Sequence, residues 1–372
     1  MRIGFDAKRA FNNASGLGNY SRYTINGLAR YYPDNEYRLY TTGLSGKINY
    51  QPPKGASIIL PQGLAARAFK SYWRSVSLGK HLRHDGIDLF HGLSNELPLH
   101  IRRSGVKSVV TIHDLIFIVL PELYQSIDRK FYLKKTRSAI EAADRIVAIS
   151  SQTRKDLVEI LGADEKKIRV VYQGCHPWFY KPLNNEARKE ARKRFGLPEH
   201  YVLYVGTIEK RKNLLEIVKA MHQGKINLPL VAVGRKTPYF NEVKAYITKY
   251  NIQHVYFHDF VSSNDLPAFY QLAELFVYPS SYEGFGIPVL EALNSEVPVI
   301  TSRGGCLEET AGPGGILVDP GDTGELSHAI QHALEDQALR KELVVKGKQH
   351  ALKFREDETI PALYAVYEEL MR

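Results

Sequence analysis

Two glutamates separated by seven residues, Glu283 and Glu291, stand in the stretch LFVYPSSYEGFGIPVLEALNSEVPVI, Leu275 to Ile300. The pattern reads as a strand, a loop Glu283-Gly284-Phe285-Gly286, and a helix entered at Ile287-Pro288. Pro288 suits a first helical turn, where its missing N–H costs nothing. The loop glycines let the backbone N–H groups of Gly284, Phe285 and Gly286 approach a ligand closely. A helix N-terminus favours an anion such as pyrophosphate. Glu291, about one turn into that helix, can accept hydrogen bonds from two vicinal hydroxyls of a ribose, and Glu283 can reach a sugar beyond the phosphates. The bland alternative is a strand-turn-helix with two solvated glutamates; the flanking glycines and proline count against it.

Three further runs carry polar chemistry at predicted strand ends. Ser15-Gly16-Leu17-Gly18 lies between the first strand and a helix predicted from about Asn19 to Tyr31. It lacks the third glycine of a dinucleotide fingerprint, so alone it fits a flexible turn as well as a phosphate loop. Val205-Gly206-Thr207-Ile208-Glu209-Lys210-Arg211-Lys212-Asn213 puts cations at the carboxyl end of a strand, where open α/β sheets bind ligands; a solvated basic loop is the competing reading. Thr111-Ile112-His113-Asp114 ends another strand, and a lone His-Asp pair is structural as readily as catalytic.

Missing motifs narrow the chemistry. There is no G-x-S-x-G nucleophile elbow and no Walker A loop. No two aspartates lie two apart, so an Asp-x-Asp metal clamp cannot be drawn, and the 13 histidines and two cysteines show no zinc spacing. What is left is catalysis by positioning and fixed electrostatics.

The elements that must hold these residues follow from hydrophobic pattern. Short β-branched and aromatic runs alternate with amphipathic stretches, as in repeated βα units. Predicted strands are Arg2–Asp6, Tyr37–Thr41, Ile87–His91, Ser108–Ile112, Arg145–Ile149 and Ile168–Val171, then Tyr201–Val205, Pro229–Val233, His254–Phe257, Leu275–Tyr278 and Val297–Ile300. The pattern pauses at Gln173-Gly174-Cys175-His176-Pro177. At 372 residues the chain is long for one core and comfortable for two domains. An N-terminal α/β domain over 1–172 and a second over 173–355 are expected, with a final helix over 356–372 free to pack back on the first.

The whole order of segments resembles the retaining glycosyltransferases of family 4, whose signature is a Glu–seven residues–Glu motif. The resemblance implies the GT-B fold: two facing Rossmann-like domains with parallel sheets and a cleft between them. It implies that Glu291 holds the donor ribose and that Glu283, with the backbone of Gly284, Phe285 and Gly286, holds the donor sugar. Gly16 and Gly18 fall where that family closes a glycine-rich loop on the donor diphosphate, and Lys212 where a cation neutralises the leaving group. Domain closure would bring Gly18 toward Lys212 and exclude water. Many relatives carry an arginine directly after the strand-end glycine; Thr207 stands there instead, so Arg211 or Arg235 is expected to compensate. His113 matches a histidine near the reacting sugar, and Phe260-Val261 matches the nucleobase pocket. The implied reaction is a retaining, metal-independent hexosyl transfer without a cofactor. The expected donor is GDP-mannose, judged by the likeness of TIHDLIFIVLPE and VGTIEKRKN to mannosyltransferases, and the expected product a surface polysaccharide. A UDP-sugar glucosyltransferase, a nucleotide-sugar epimerase and a non-catalytic nucleotide-binding protein are the alternatives.

Net charge is +10, which suits anionic partners, but no RNA-binding signature appears and no nucleic acid is expected. A saccharide or lipid-linked acceptor is expected. Residues 61–84 hold Arg67, Lys70, Arg74, Lys80 and Arg83 with no acid, interleaved with Phe69, Tyr72, Trp73, Val76 and Leu82. They form either a helix packed by its aromatic face on the first domain or a surface meeting anionic lipid. The charged N-terminus, the short apolar runs and only two cysteines point to a cytoplasmic protein, peripheral at most on the inner membrane face.

Overall fold

The computed structural model describes residues 1–46 and 48–372, and the chain divides into two compact units. The first joins Met1–Gly174 with Phe354–Arg372; the second is Cys175–Lys353.

Among the described residues, the first unit is built on seven parallel strands: β1 (Arg2–Asp6), β2 (Glu36–Tyr40), β3 (Ala56–Ile59), β4 (Leu89–Gly92), β5 (Lys107–Ile112), β6 (Arg145–Ala148) and β7 (Ile168–Val170). Their order is β3-β2-β1-β4-β5-β6-β7, so the winding direction reverses between β1 and β4. Central strands are covered on both faces, which is why they read as apolar runs rather than alternating ones. The edge strand β3 has no predicted counterpart; it is short and only partly buried.

Two local outcomes matter for function. The glycine run 16–18 is not a loop but the first turn of the helix Gly16–Tyr31, with the Ser15 carbonyl accepting from the N–H groups of Gly18 (2.9 Å) and Asn19 (3.0 Å). The final helix, Glu356–Met371, packs on this same helix. Gly27 permits the approach, since a Cβ there would lie 2.6 Å from Ile360. Arg30 pairs with Glu356 at 2.8 Å, and Tyr32 stacks on Tyr364.

The stretch 61–84 divides between core and surface. Trp73, Leu78 and Leu82 are buried with Tyr40, Ile87, Phe90 and Ile101. Arg74 is no surface cation: its Nε donates to Asp6 Oδ2 at 2.9 Å and its Nη1 to Glu96 Oε2 at 2.7 Å. Among the described residues, no helix is long and apolar enough to cross a membrane.

The second unit carries six parallel strands: β8 (Val202–Val205), β9 (Leu230–Val233), β10 (Val255–His258), β11 (Leu275–Tyr278), β12 (Val299–Ser302) and β13 (Gly315–Val318). The order β10-β9-β8-β11-β12-β13 reverses between β8 and β11. Ligands of open α/β sheets bind beyond the carboxyl ends of the strands at such a reversal. The basic run follows β8 and the Glu-Gly-Phe-Gly loop follows β11, so topology alone brings both to that point.

Candidate active site

At the β8/β11 reversal, Glu283 is the hub. Its Oε1 accepts from Tyr278 Oη (2.7 Å) and Ser280 Oγ (3.0 Å). Arg211 Nη1 lies 2.7 Å from the same oxygen and Lys212 Nζ 3.7 Å. Side-chain exposure is 9% for Arg211, 13% for Glu283 and 14% for Lys212. Burial pushes the Glu283 carboxyl up, but Lys212, Arg211 and the Tyr278 hydroxyl outweigh it and hold it at about 2. The carboxylate is therefore ionised at any physiological pH.

Arg211 spends its fork on protein atoms: besides Glu283, it reaches Glu209 Oε1 at 2.6 Å and the Tyr282 carbonyl. It stands as a strut of Glu283 rather than as an open second cation in place of the arginine missing at Thr207. Lys212 keeps the looser position, with its Nζ 5.5 Å from the centre of the Tyr278 ring. Asn213 fixes the turn that carries it. That residue sits at φ 55°, and its Nδ2 donates to Pro279 O (2.8 Å) and Ser281 Oγ (3.0 Å).

The loop Gly284-Phe285-Gly286 leads into the helix Ile287–Asn294, with Gly286 at φ 108° as its N-cap. A side chain at Gly286 would be strained and would meet Leu307 at 2.7 Å. The loop is clamped from the helix Gly305–Ala311: Cys306 Sγ donates to Glu283 O (3.0 Å) and Thr310 Oγ1 to Phe285 O (2.7 Å).

Glu291 occupies a different electrostatic setting. Tyr270 Oη donates to its Oε2 at 2.9 Å, and no cation pairs with it among the described residues. Burial raises its carboxyl to about 8, only partly opposed by the Tyr270 bond. Two glutamates of one motif thus hold opposite protonation states in the ligand-free protein, one anionic and one mostly neutral at pH 7.

Arg235 is exposed beyond β9, and among the described residues Arg211 and Lys212, not Arg235, pair with Glu283. The Arg235 carbonyl accepts from Ile208 N at 2.9 Å, next to Thr207. Gly234 makes that closeness possible, since a Cβ there would fall 1.9 Å from the Gly206 carbonyl. Val261 lies half-buried in the loop after β10, beside an exposed Phe260, and the helix Leu266–Gln271 that follows delivers Tyr270 to Glu291.

In the first unit, Gly16 has open space around it, whereas a Cβ on Gly18 would fall 1.8 Å from the Asn13 carbonyl. Gly18 is thus demanded by packing and Gly16 is not. His113, at the end of β5, is 5% exposed and its Nε2 lies 2.9 Å from the Leu93 carbonyl. Nε2 must carry the proton there, leaving Nδ1 as the acceptor. Burial lowers its pKa to about 4, so the ring is neutral. Tyr20 packs edge-on at 4.6 Å and bonds Thr111 Oγ1 at 3.0 Å. Tyr278, Ser280, Tyr270, Asn213, Cys306 and Thr310 were not singled out by sequence. Only Asn213 left a signal: an asparagine directly before a helical pattern, a residue tolerant of the left-handed conformation.

Residues 14–178 match the family described as Glycosyltransferase Family 4, and residues 186–350 the family described as Glycosyl transferases group 1. The chain is 28% identical over 273 residues to the O-antigen chain mannosyltransferase B of Escherichia coli, covering 72% of this chain and 70% of that one. It is 28% identical over 280 residues to the serotype-specific mannosyltransferase WbdA of Escherichia coli, but spans only 34% of that longer protein. Sucrose-phosphate synthase from Thermosynechococcus elongatus superposes with a TM-score of 0.80 at 22% identity, covering 100% of this chain and 99% of that one. HepE of Anabaena, solved in complex with UDP and glucose, gives 0.77 at 18% identity, covering 99% of each chain.

Proposed function

The chain belongs to the family 4 glycosyltransferases of GT-B fold, and we propose that it transfers mannose from GDP-mannose to a saccharide or lipid-linked acceptor, with retention and without a metal ion. The observation that carries this reading is the ionised Glu283 held beside Lys212 at the β8/β11 reversal. The mannose assignment is supported by the two mannosyltransferase relatives. A role in surface polysaccharide assembly is supported by the O-antigen function in the name of one of them.

In this reading the diphosphate lies against Lys212 and the amide groups at the start of the helix Ile287–Asn294, which stabilise the charge that builds on the leaving oxygen. The bond from the anomeric carbon to that oxygen breaks as the acceptor oxygen bonds the same face. The acceptor proton passes to the departing phosphate oxygen, and GDP leaves. Glu283, kept anionic by Arg211, faces the positive charge developing on the sugar ring. Glu291 receives the ribose hydroxyls, exchanging its bond from Tyr270 for theirs. Val261 and exposed Arg235 are further donor contacts in the second unit, and in the first unit His113 Nδ1 can accept from a hydroxyl.

Slow acceptor-free hydrolysis of sugar nucleotides, followed by proton NMR in the presence of EDTA, tests the reading. GDP-mannose is expected to be consumed in preference to UDP-sugars and to release α-mannose first. Release of β-mannose overturns retention, loss of turnover with EDTA overturns metal independence, and preference for a UDP-sugar overturns the donor.

A further inference from the structure

We propose that the first unit carries a docking face for an anionic lipid bilayer, built by residues 64–72 and by the outward side of the helix Ser126–Ala142. Sequence points only to 61–84, and the structure removes Trp73, Arg74 and Leu82 from that surface. What stays outside is concentrated: Leu64 is 89% exposed, Phe69 67% and Tyr72 61%.

The helix Ser126–Ala142 supplies the other half. Its inward stripe is Thr136, Ala139 and Ile140. Ile127 and Phe131, one turn apart on another side, are 79% and 55% exposed, and Lys134 continues their row. A helix with one apolar stripe in the core needs no second one facing water. Leu123, just before it, is also exposed.

Glu96 ties the two segments together. Its Oε2 takes Arg74 Nη1 at 2.7 Å and Lys135 Nζ at 3.1 Å. Arg74 lies two residues past Tyr72, and the Lys135 ammonium sits 4.4 Å from the centre of the Phe131 ring. Arg74, which follows the first segment, and Lys135 of the second therefore meet at Glu96, near the carboxyl end of β1, where Asp6 anchors Arg74.

Charge selects the partner. Residues 64–72 carry Arg67 and Lys70 with no acid, and the helix Ser126–Ala142 carries Arg129, Lys130, Lys134 and Arg137, besides the Glu96-bound Lys135, against Asp128 and Glu141. Aromatic and aliphatic side chains that can enter the headgroup boundary, rimmed by cations, match an anionic bilayer. A second copy of this chain would set these cations against each other.

Co-sedimentation of the full chain with phosphatidylglycerol–phosphatidylcholine vesicles, and with phosphatidylcholine alone, tests this without donor or acceptor, so its outcome is independent of the transferase reading. Binding to the mixed vesicles at low salt is expected, with much less on the neutral ones. It should weaken roughly tenfold or more in Phe69→Glu/Tyr72→Glu and in Ile127→Glu/Phe131→Glu. The quadruple variant Arg67→Gln/Lys70→Gln/Lys130→Gln/Lys134→Gln alters only solvent-facing cations and is expected to fold, with unchanged melting, and to lose the anionic preference. Absence of binding to the mixed vesicles, full binding by all three variants, or concentration-dependent self-association abolished by them would overturn the proposal.

Discussion

Arg211 and Lys212 are chain neighbours that address one oxygen of Glu283 differently: the guanidinium at 2.7 Å, the ammonium at 3.7 Å. Arginine offers a fork that can bind several acceptors at once, and here it is spent on Glu283, Glu209 and Tyr282. Lysine is a point charge that keeps capacity for another anion. The pair divides the work between holding a carboxylate and receiving a phosphate.

Arg211→Ala and Lys212→Ala should therefore fail in different ways. Removing Arg211 leaves a largely buried carboxylate without its closest cation, a loss of about 3 kcal/mol in stability, seen as a lower melting temperature together with lower activity. Removing Lys212 leaves Glu283 paired with Arg211. Melting should fall less than in Arg211→Ala, because Lys212 stands farther from Glu283, at 3.7 Å, while kcat falls on the order of 10²-fold, as for loss of one charge-stabilising group. Equal melting losses in both variants would contradict the division.

The two glutamates set opposite pH dependences. Glu291 has its carboxyl raised from 4.5 to about 8 by burial. Its folded form holds a proton that the unfolded chain gives up, so stability falls as pH rises between those values. Glu291→Gln is expected to melt higher than the wild type at pH 9 and to match it near pH 4.

Glu283 runs the other way. Its carboxyl is held at about 2, so its contribution is present above 4.5 and is lost as pH falls from there toward 2. Urea unfolding should show Glu283→Gln less stable than the wild type at pH 6, with the gap narrower at pH 3. A gap of constant size would mean that the carboxylate is not paired as described.

Gly16 and Gly18 can be separated by one methyl group each. Gly18→Ala must displace the Asn13 carbonyl, costing roughly 1–3 kcal/mol. Gly16→Ala meets no neighbouring atom and should be neutral or slightly stabilising, by up to about 1 kcal/mol. A melting loss in Gly16→Ala as large as that in Gly18→Ala would contradict this difference in packing.

Much of the scaffold was legible because buried parallel strands leave continuous apolar runs. All eleven predicted strands have counterparts, shifted at most by a few residues. The two that escaped, β3 and β13, are edge strands of four residues, where burial is incomplete and the apolar signal weak. The carboxylate motif was legible because its glycines, proline and helix are local. Its electrostatics were not: Arg211 and Glu283 are 72 positions apart, and Asp6 and Arg74 are 68. Nothing near Arg74 in the chain says that it turns inward, so 61–84 reads as more basic at the surface than it is. Gly16–Gly18 reads as a loop because glycine disfavours helices, yet it forms a first helical turn, where Gly18 is required because a Cβ would collide with the Asn13 carbonyl.

Calorimetric titration of the protein with GDP, UDP and ADP, in EDTA, tests the donor site most directly. GDP is expected to bind most tightly, with affinity rising with pH up to about 8 as Glu291 ionises to receive the ribose hydroxyls, and binding should be abolished in Glu291→Ala. Binding of GDP that Glu291→Ala leaves intact, or no binding of any of the three nucleotides, would contradict it.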